Sequence, residues 1–209
     1  MRFVALPLVL LLPAAASSAP SAAAPGAAEL KRLDARYAPV DLRVDLSRVP
    51  ASERAALGKL VEAAQVMDAL FLEQVWGGNE ATLLALLADE TPLGRARLRY
   101  FLRNKGPWDR LDEDRAFLPG VPAKPEGANF YPADATREEL EKWVAALEPD
   151  ARRAATGFFT VVRRTPQGGL AAVPYAVTYA GALARAATLL REAAAATQDP
   201  ALRRFLEAR

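Results

Sequence analysis

The side chains available for chemistry form a narrow set, because the 209 residues include neither histidine nor cysteine. A serine–histidine–aspartate triad, a histidine general base, a histidine-held catalytic zinc, thiol catalysis, disulfides and cysteine-held zinc are therefore unavailable within this chain. Acid–base work would fall to aspartate, glutamate, lysine and tyrosine. Carboxylates gather at Asp109, Asp112, Glu113 and Asp114. A calcium-binding EF-hand loop counted from Asp109 would need glycine sixth and glutamate twelfth, where the chain has Asp114 and Gly120. The cluster reads as solvated surface acids. Gly77-Gly78-Asn79 lacks the Lys-Ser/Thr of a phosphate loop and reads as a helix stop. The other candidates are Asn104, Trp108, Asp109, Arg110, Asn129 and Tyr131, polar and aromatic residues in two loop-like runs. Either they line a substrate cleft, or they brace their loops. Asn and Asp bond nearby backbone and Trp and Tyr pack, and ordered loops need such anchors, which favours bracing.

These candidates lie in or next to residues 105–135, where Pro107, Pro119, Pro122, Pro125 and Pro132 alternate with Gly106, Gly120 and Gly127. No helical period survives that spacing. Trp108, Phe117, Phe130 and Tyr131 nevertheless mark an ordered segment rather than a linker. Around it the periodicity predicts helices. Pro50 suits the first position of a long helix, with Leu57, Leu60, Val61, Ala64, Met67, Phe71 and Val75 as its core stripe and Gly77-Gly78 as its stop. Asn79 would cap a short helix through Leu87. Thr91-Pro92 would open a third, to about Leu102. Thr136-Arg137-Glu138-Glu139 is a capping box before a helix that turns Leu140, Trp143, Val144 and Leu147 inward and ends at Pro149. Phe158 to Val162 and Leu170 to Val173 read as a hairpin across Pro166-Gln167-Gly168-Gly169. Tyr175 to about Thr197 is a long Ala-rich helix with Tyr179, Leu183, Ala186, Leu190 and Ala193 along one stripe. Asp199-Pro200 starts another, whose final turn lacks a capping residue and reads as interrupted. Arg43 to Leu46 alternates but is short, and suits an extended arm. The expected fold is mainly α with a small β-hairpin.

A hydrophobic content of 52% supports a packed core in one domain. The charges nearly cancel, 27 basic against 25 acidic, and basic residues cluster only in pairs such as Arg152-Arg153, so no nucleic-acid partner is expected. Met1-Arg2, an apolar run from Phe3 to Leu12 and small residues to Ala19 read as a secretory signal peptide over residues 1–19, with cleavage between Ala16 and Ala23. The run is too short to span a bilayer, which takes about 20 apolar residues. Residues 20–29 would be a flexible Ala/Pro/Ser leader and residues 30–209 the helical domain. The expectation is export to the periplasm or beyond, without stable membrane insertion after cleavage.

Three runs carry a family resemblance, in order along the chain. They are Arg103 to Leu111, Pro125 to Pro132 with the Thr136 capping box, and the passage Thr160-Val161-Val162-Arg163-Arg164, Val173-Pro174-Tyr175 and Tyr179. They resemble bacterial members of the dipeptidyl peptidase III family, over roughly Ala51 to Arg209. The resemblance implies the N-terminal portion of a larger two-lobed, mostly helical metallopeptidase-like fold, and a zinc exopeptidase that releases dipeptides from oligopeptide N-termini. The family's zinc motif is HExxGH with a further glutamate. It has no counterpart here, so no catalytic or metal residue is transferred, no cofactor is expected in this chain, and zinc belongs to a full-length member. The alternative is a non-catalytic periplasmic peptide-binding or protein-interaction domain, whose apolar helix faces self-association would cover.

Overall fold

The computed structural model describes residues 24–209. The expected signal peptide lies outside the described residues. Helix α1 (Ala27–Asp34) begins inside the stretch expected to be a flexible leader, so residues 27–29 are helical. The physical reason is tertiary: Leu30 is fully buried and Leu33 packs beside it on the aromatic residues of α4 (Pro92–Asn104). Residues 38–46 have no regular structure, and Val40, Leu42 and Val44 are exposed, as an extended arm would leave them.

Helix α2 (Ala51–Val75) starts one residue after Pro50, which occupies the cap position instead of the first helical one. Its buried face is Ala56, Ala63 and Leu70, seven residues apart, set along α8 (Ala180–Ala196) with its Ala186, Leu189 and Ala193. This overturns the expected core stripe: Leu57, Val61, Ala64, Met67 and Phe71 are exposed. Alanines allow two helices to approach closely, so the helix buries its small-residue face and leaves a face of larger residues open.

Helix α3 (Asn79–Ala88) and α4 follow. Thr91 Oγ1 caps α4 by accepting from Gly94 N at 3.0 Å, with Pro92 in the first turn as expected. The segment after α4 is ordered by a two-residue antiparallel pair, β1 (Trp108–Asp109) with β2 (Arg115–Ala116), and a 3-10 turn at Ala128–Phe130. So small a ladder contributes little. Burial of Phe117 and Leu118 with Leu72, Leu86, Tyr100 and Phe101 stabilises the segment more, by about 1.5–3 kcal/mol per large side chain.

Helix α5 (Arg137–Ala146) is capped by Thr136, whose Oγ1 accepts from Glu139 N at 3.1 Å. Pro149, expected only to stop that helix, also opens α6 (Pro149–Ala155). The hairpin pairs β3 (Thr160–Arg164) with β4 (Leu170–Pro174), Val161 opposite Val173. Phe158 and Phe159 precede the strand and are 90% and 76% exposed, so strand propensity placed the start too early. The Ala-rich helix is broken: α7 (Tyr175–Thr178) meets α8 at Tyr179, whose φ of −110° and ψ of 24° leave the helical region. Burying the Tyr179 ring with Leu70 and Val161 sets that break. Helix α9 (Pro200–Glu207) is capped by Asp199, as expected. Glu53 ties the start of α2 to the end of α8 by accepting from Thr197 Oγ1 at 2.6 Å and Gln198 N at 2.8 Å.

Candidate functional site

The C-terminal turn of α4 and the strand β1 bring four of the six candidates together. Asn104 is buried: its Nδ2 donates to Tyr100 O at 2.9 Å and its Oδ1 accepts from Arg110 N at 3.1 Å. Trp108 is buried, donates from Nε1 to Pro122 O at 2.9 Å, and meets the Trp76 ring edge-on with centroids 5.3 Å apart. Asp109 is 3% exposed; its Oδ1 accepts from Leu111 N at 3.0 Å and its Oδ2 from Arg36 Nη2 at 2.5 Å. Arg36 Nη2 also donates to Tyr100 OH at 2.6 Å. The Arg110 side chain is exposed, and with Asn104 and Trp108 it lines a cavity of about 130 Å³.

The second run is placed elsewhere. Asn129 donates from Nδ2 to Glu73 O at 2.9 Å and accepts at its backbone oxygen from Arg163 Nη2 at 3.0 Å, joining α2 to the hairpin. Tyr131 is partly exposed on a separate cavity of about 470 Å³ with Trp143 and Arg152. The six therefore do not form one constellation.

Electrostatically the first cluster is closed. Burial pushes the Tyr100 phenol up to about 12, the Asp109 carboxylate adds to this, and the Arg36 guanidinium opposes it. The phenol is neutral at ordinary pH and its oxygen is taken by Arg36. The Asp109 carboxylate is enclosed and hydrogen-bonded. The arrangement braces the turn between α4 and β1. A second cluster ties the hairpin to α5: Arg164 reaches Glu139 Oε1 at 2.5 Å and Oε2 at 2.8 Å, and Asp134 Oδ2 at 2.8 Å. The Glu139 and Asp134 carboxyls are both held below their usual range by their hydrogen bonds to Arg164.

Of the acids expected to be solvated, Asp109 is instead buried, because Arg36 and Leu111 N satisfy its carboxylate, while Asp112 and Asp114 have local partners. Asp114 pairs with Lys124 at 2.9 Å and Asp112 with Arg115. Among the described residues no group of three or more His, Cys, Asp or Glu is placed to hold a metal ion. A zinc centre built on histidines does not fit this donor set.

Sequence reading missed Arg36 and Tyr100 in the brace, and Tyr37, whose OH donates to Asn104 Oδ1 at 3.3 Å. Arg36 follows α1 in a segment without period, and nothing in its spacing points to Asp109, 73 residues on. Asn79, expected as a cap, is instead the first helical residue, fully buried, with Nδ2 donating to Leu72 O at 2.8 Å.

Comparison with known proteins gives the relationship. No family model matches the chain. The structure of dipeptidyl-peptidase III from Corallococcus sp. strain EGB is 56% identical with a TM-score of 0.85, over 88% of this chain and 34% of that one. DPP III from Caldithrix abyssi is 41% identical with a TM-score of 0.79, over 85% of this chain and 33% of that one. A curated protein of Arabidopsis thaliana named Nudix hydrolase 3 is 31% identical over 223 residues, 83% of this chain but 29% of that protein, and its name describes the whole. In sequence and in fold the chain is a dipeptidyl peptidase III-family segment, spanning about a third of the length of each solved relative, which fits the reading of an N-terminal part only.

Proposed function

We propose that this chain is the N-terminal segment of an exported dipeptidyl peptidase III-like zinc peptidase, which releases dipeptides from oligopeptide N-termini when its other regions are present. The carrying observation is 56% identity with a TM-score of 0.85 to a solved dipeptidyl-peptidase III. The chain's own part is structural: it supplies no histidine for zinc, and its buried Asn104 and Asp109 hold the turn between α4 and β1. The oligopeptide is the expected partner of the completed enzyme. The signal-like residues 1–19 support export, and among the described residues no helix is long and apolar enough to cross a membrane. The test is an assay of the purified chain with a chromogenic dipeptidyl arylamide and added zinc. No release above the blank is expected; release abolished by a chelator would contradict the proposal.

A second reading, a non-catalytic peptide-binding or interaction domain, is favoured by the open apolar face of α2 and by exposed Phe158 and Phe159. It predicts metal-independent peptide binding, or self-association visible by sedimentation, by a chain that is whole at this length.

A further inference from the structure

The arm between α1 and α2 is fixed at both ends and free between them. Before it, Arg36 holds Asp109 and Tyr100, and Tyr37 OH donates to Asn104 Oδ1 at 3.3 Å. After it, Arg54 Nη1 donates to Val49 O at 2.9 Å and to Leu46 O at 3.4 Å. Among the described residues, no backbone N–H or C=O of residues 38–45 makes a hydrogen bond. Val40, Leu42, Val44 and Leu46 alternate with Asp41, Arg43 and Asp45. In an extended chain that period of two sets the four apolar side chains on one face and the charges on the other. All four are exposed, Leu42 by 91%. Covering that face alone would bury backbone groups without partners, which is costly. A sheet edge meets both needs: it pairs one side of the backbone, and the layer beneath the sheet takes the apolar face. The charged face stays in water, as in an antiparallel sheet packed on one side. A second copy of the arm does not suffice. Two paired arms leave both apolar faces open, and a two-stranded ribbon is marginal in water.

We propose that residues 40–46 add as an edge strand to a sheet in the part of the enzyme that this chain does not cover, with Val40, Leu42, Val44 and Leu46 against that sheet's apolar layer. This rests on the reading of the chain as the N-terminal segment of a longer peptidase. The solved relatives have room for such a sheet, since the chain spans 34% and 33% of their lengths.

The experiment compares amide hydrogen exchange over residues 40–46, resolved by residue, in the full 209-residue chain and in the native protein from its own cell, with the intact mass read on the same samples. The chain by itself should exchange at close to the rate of an unstructured peptide. The longer native protein should show alternate amides slowed at least about 100-fold, because an edge strand donates every second N–H to its neighbour. Fast exchange throughout the arm of a longer native protein, or equal slowing of every amide, would overturn the proposal and leave the peptidase reading intact. Slowing in the 209-residue chain that grows with its concentration would overturn it in favour of a second copy. A native mass of 22.5 kDa or less removes the peptidase reading, and the proposed partner with it. Leu42→Asp should leave the Tm of the 209-residue chain unchanged and restore fast exchange to the arm of the longer protein. The unsubstituted comparison stands even if that variant does not fold.

Discussion

Removal of the Arg36 guanidinium should unseat the turn between α4 and β1. Asp109 is 3% exposed, and Arg36→Ala leaves its carboxylate with Leu111 N but without its cation. Breaking a fully buried pair costs about 3–5 kcal/mol. The Arg36 side chain is 32% exposed, so water can reach the vacated side, and about 2–3 kcal/mol is the expected loss. In a chain of this size ~2 kcal/mol lowers Tm by about 4–8 °C. The assay is urea unfolding read by tryptophan fluorescence, since Trp108 adjoins Asp109 and is buried. A cycle with Asp109→Asn should give a coupling of at least ~1.5 kcal/mol. Arg103→Ala is the comparison, because it breaks the more exposed pair with Asp34 and should cost about 0.5–1 kcal/mol. A coupling below ~0.5 kcal/mol, or equal losses for Arg36→Ala and Arg103→Ala, would refute the reasoning.

Other perturbations have defined signs. Tyr100 ionises near 10.0 when unfolded and near about 12 when folded, so its contribution is complete below pH 10 and is lost as pH rises toward 12, on the order of 1–3 kcal/mol. Stability measured from pH 9 to 12 should therefore fall less steeply in Tyr100→Phe; parallel curves would count against a buried phenol. Glu139 and Asp134 are lowered by Arg164, so that contribution is present above their ordinary values of 4.5 and 3.8 and lost as pH falls through the lowered ones. Arg164→Gln should thus lower Tm at pH 7 more than at pH 3, and an unchanged difference would be the wrong result. Gly94→Ala places a Cβ 2.2 Å from Asp89 Cγ and 2.3 Å from Asp89 O and should cost about 1–3 kcal/mol. Gly58→Ala meets nothing within 4 Å inside α2 and should gain about 0.5–1 kcal/mol; thermal unfolding of both checks the pair.

Local chemistry was readable where a single residue sets it. Thr91, Thr136 and Asp199 cap the helices they were expected to cap, and the proline- and glycine-rich segment is ordered by the aromatics that signalled order. Faces were read less well. In α2 both Ala56-Ala63-Leu70 and Leu57-Val61-Phe71 satisfy a helical spacing, and only the partner helix decides which is buried. Periodicity also could not foresee the break at Tyr179, which is set by packing against Leu70 and Val161, residues distant in sequence. Of the site, the bracing role of Asn104, Trp108 and Asp109 follows from residue type and loop position. Their partners Arg36 and Tyr37 come from a segment that no motif connects to them. Tyr131 shared a motif with Asn129, yet its backbone turn sends it to another cavity.

The central proposal is that this chain acts as part of a longer peptidase. The most direct measurement is the intact mass of the native protein purified from its own cell. The account predicts a mass well above the 22.5 kDa of this chain. A mass of 22.5 kDa or slightly less, matching these residues with or without a signal peptide, would contradict it and leave a non-catalytic binding protein as the better description.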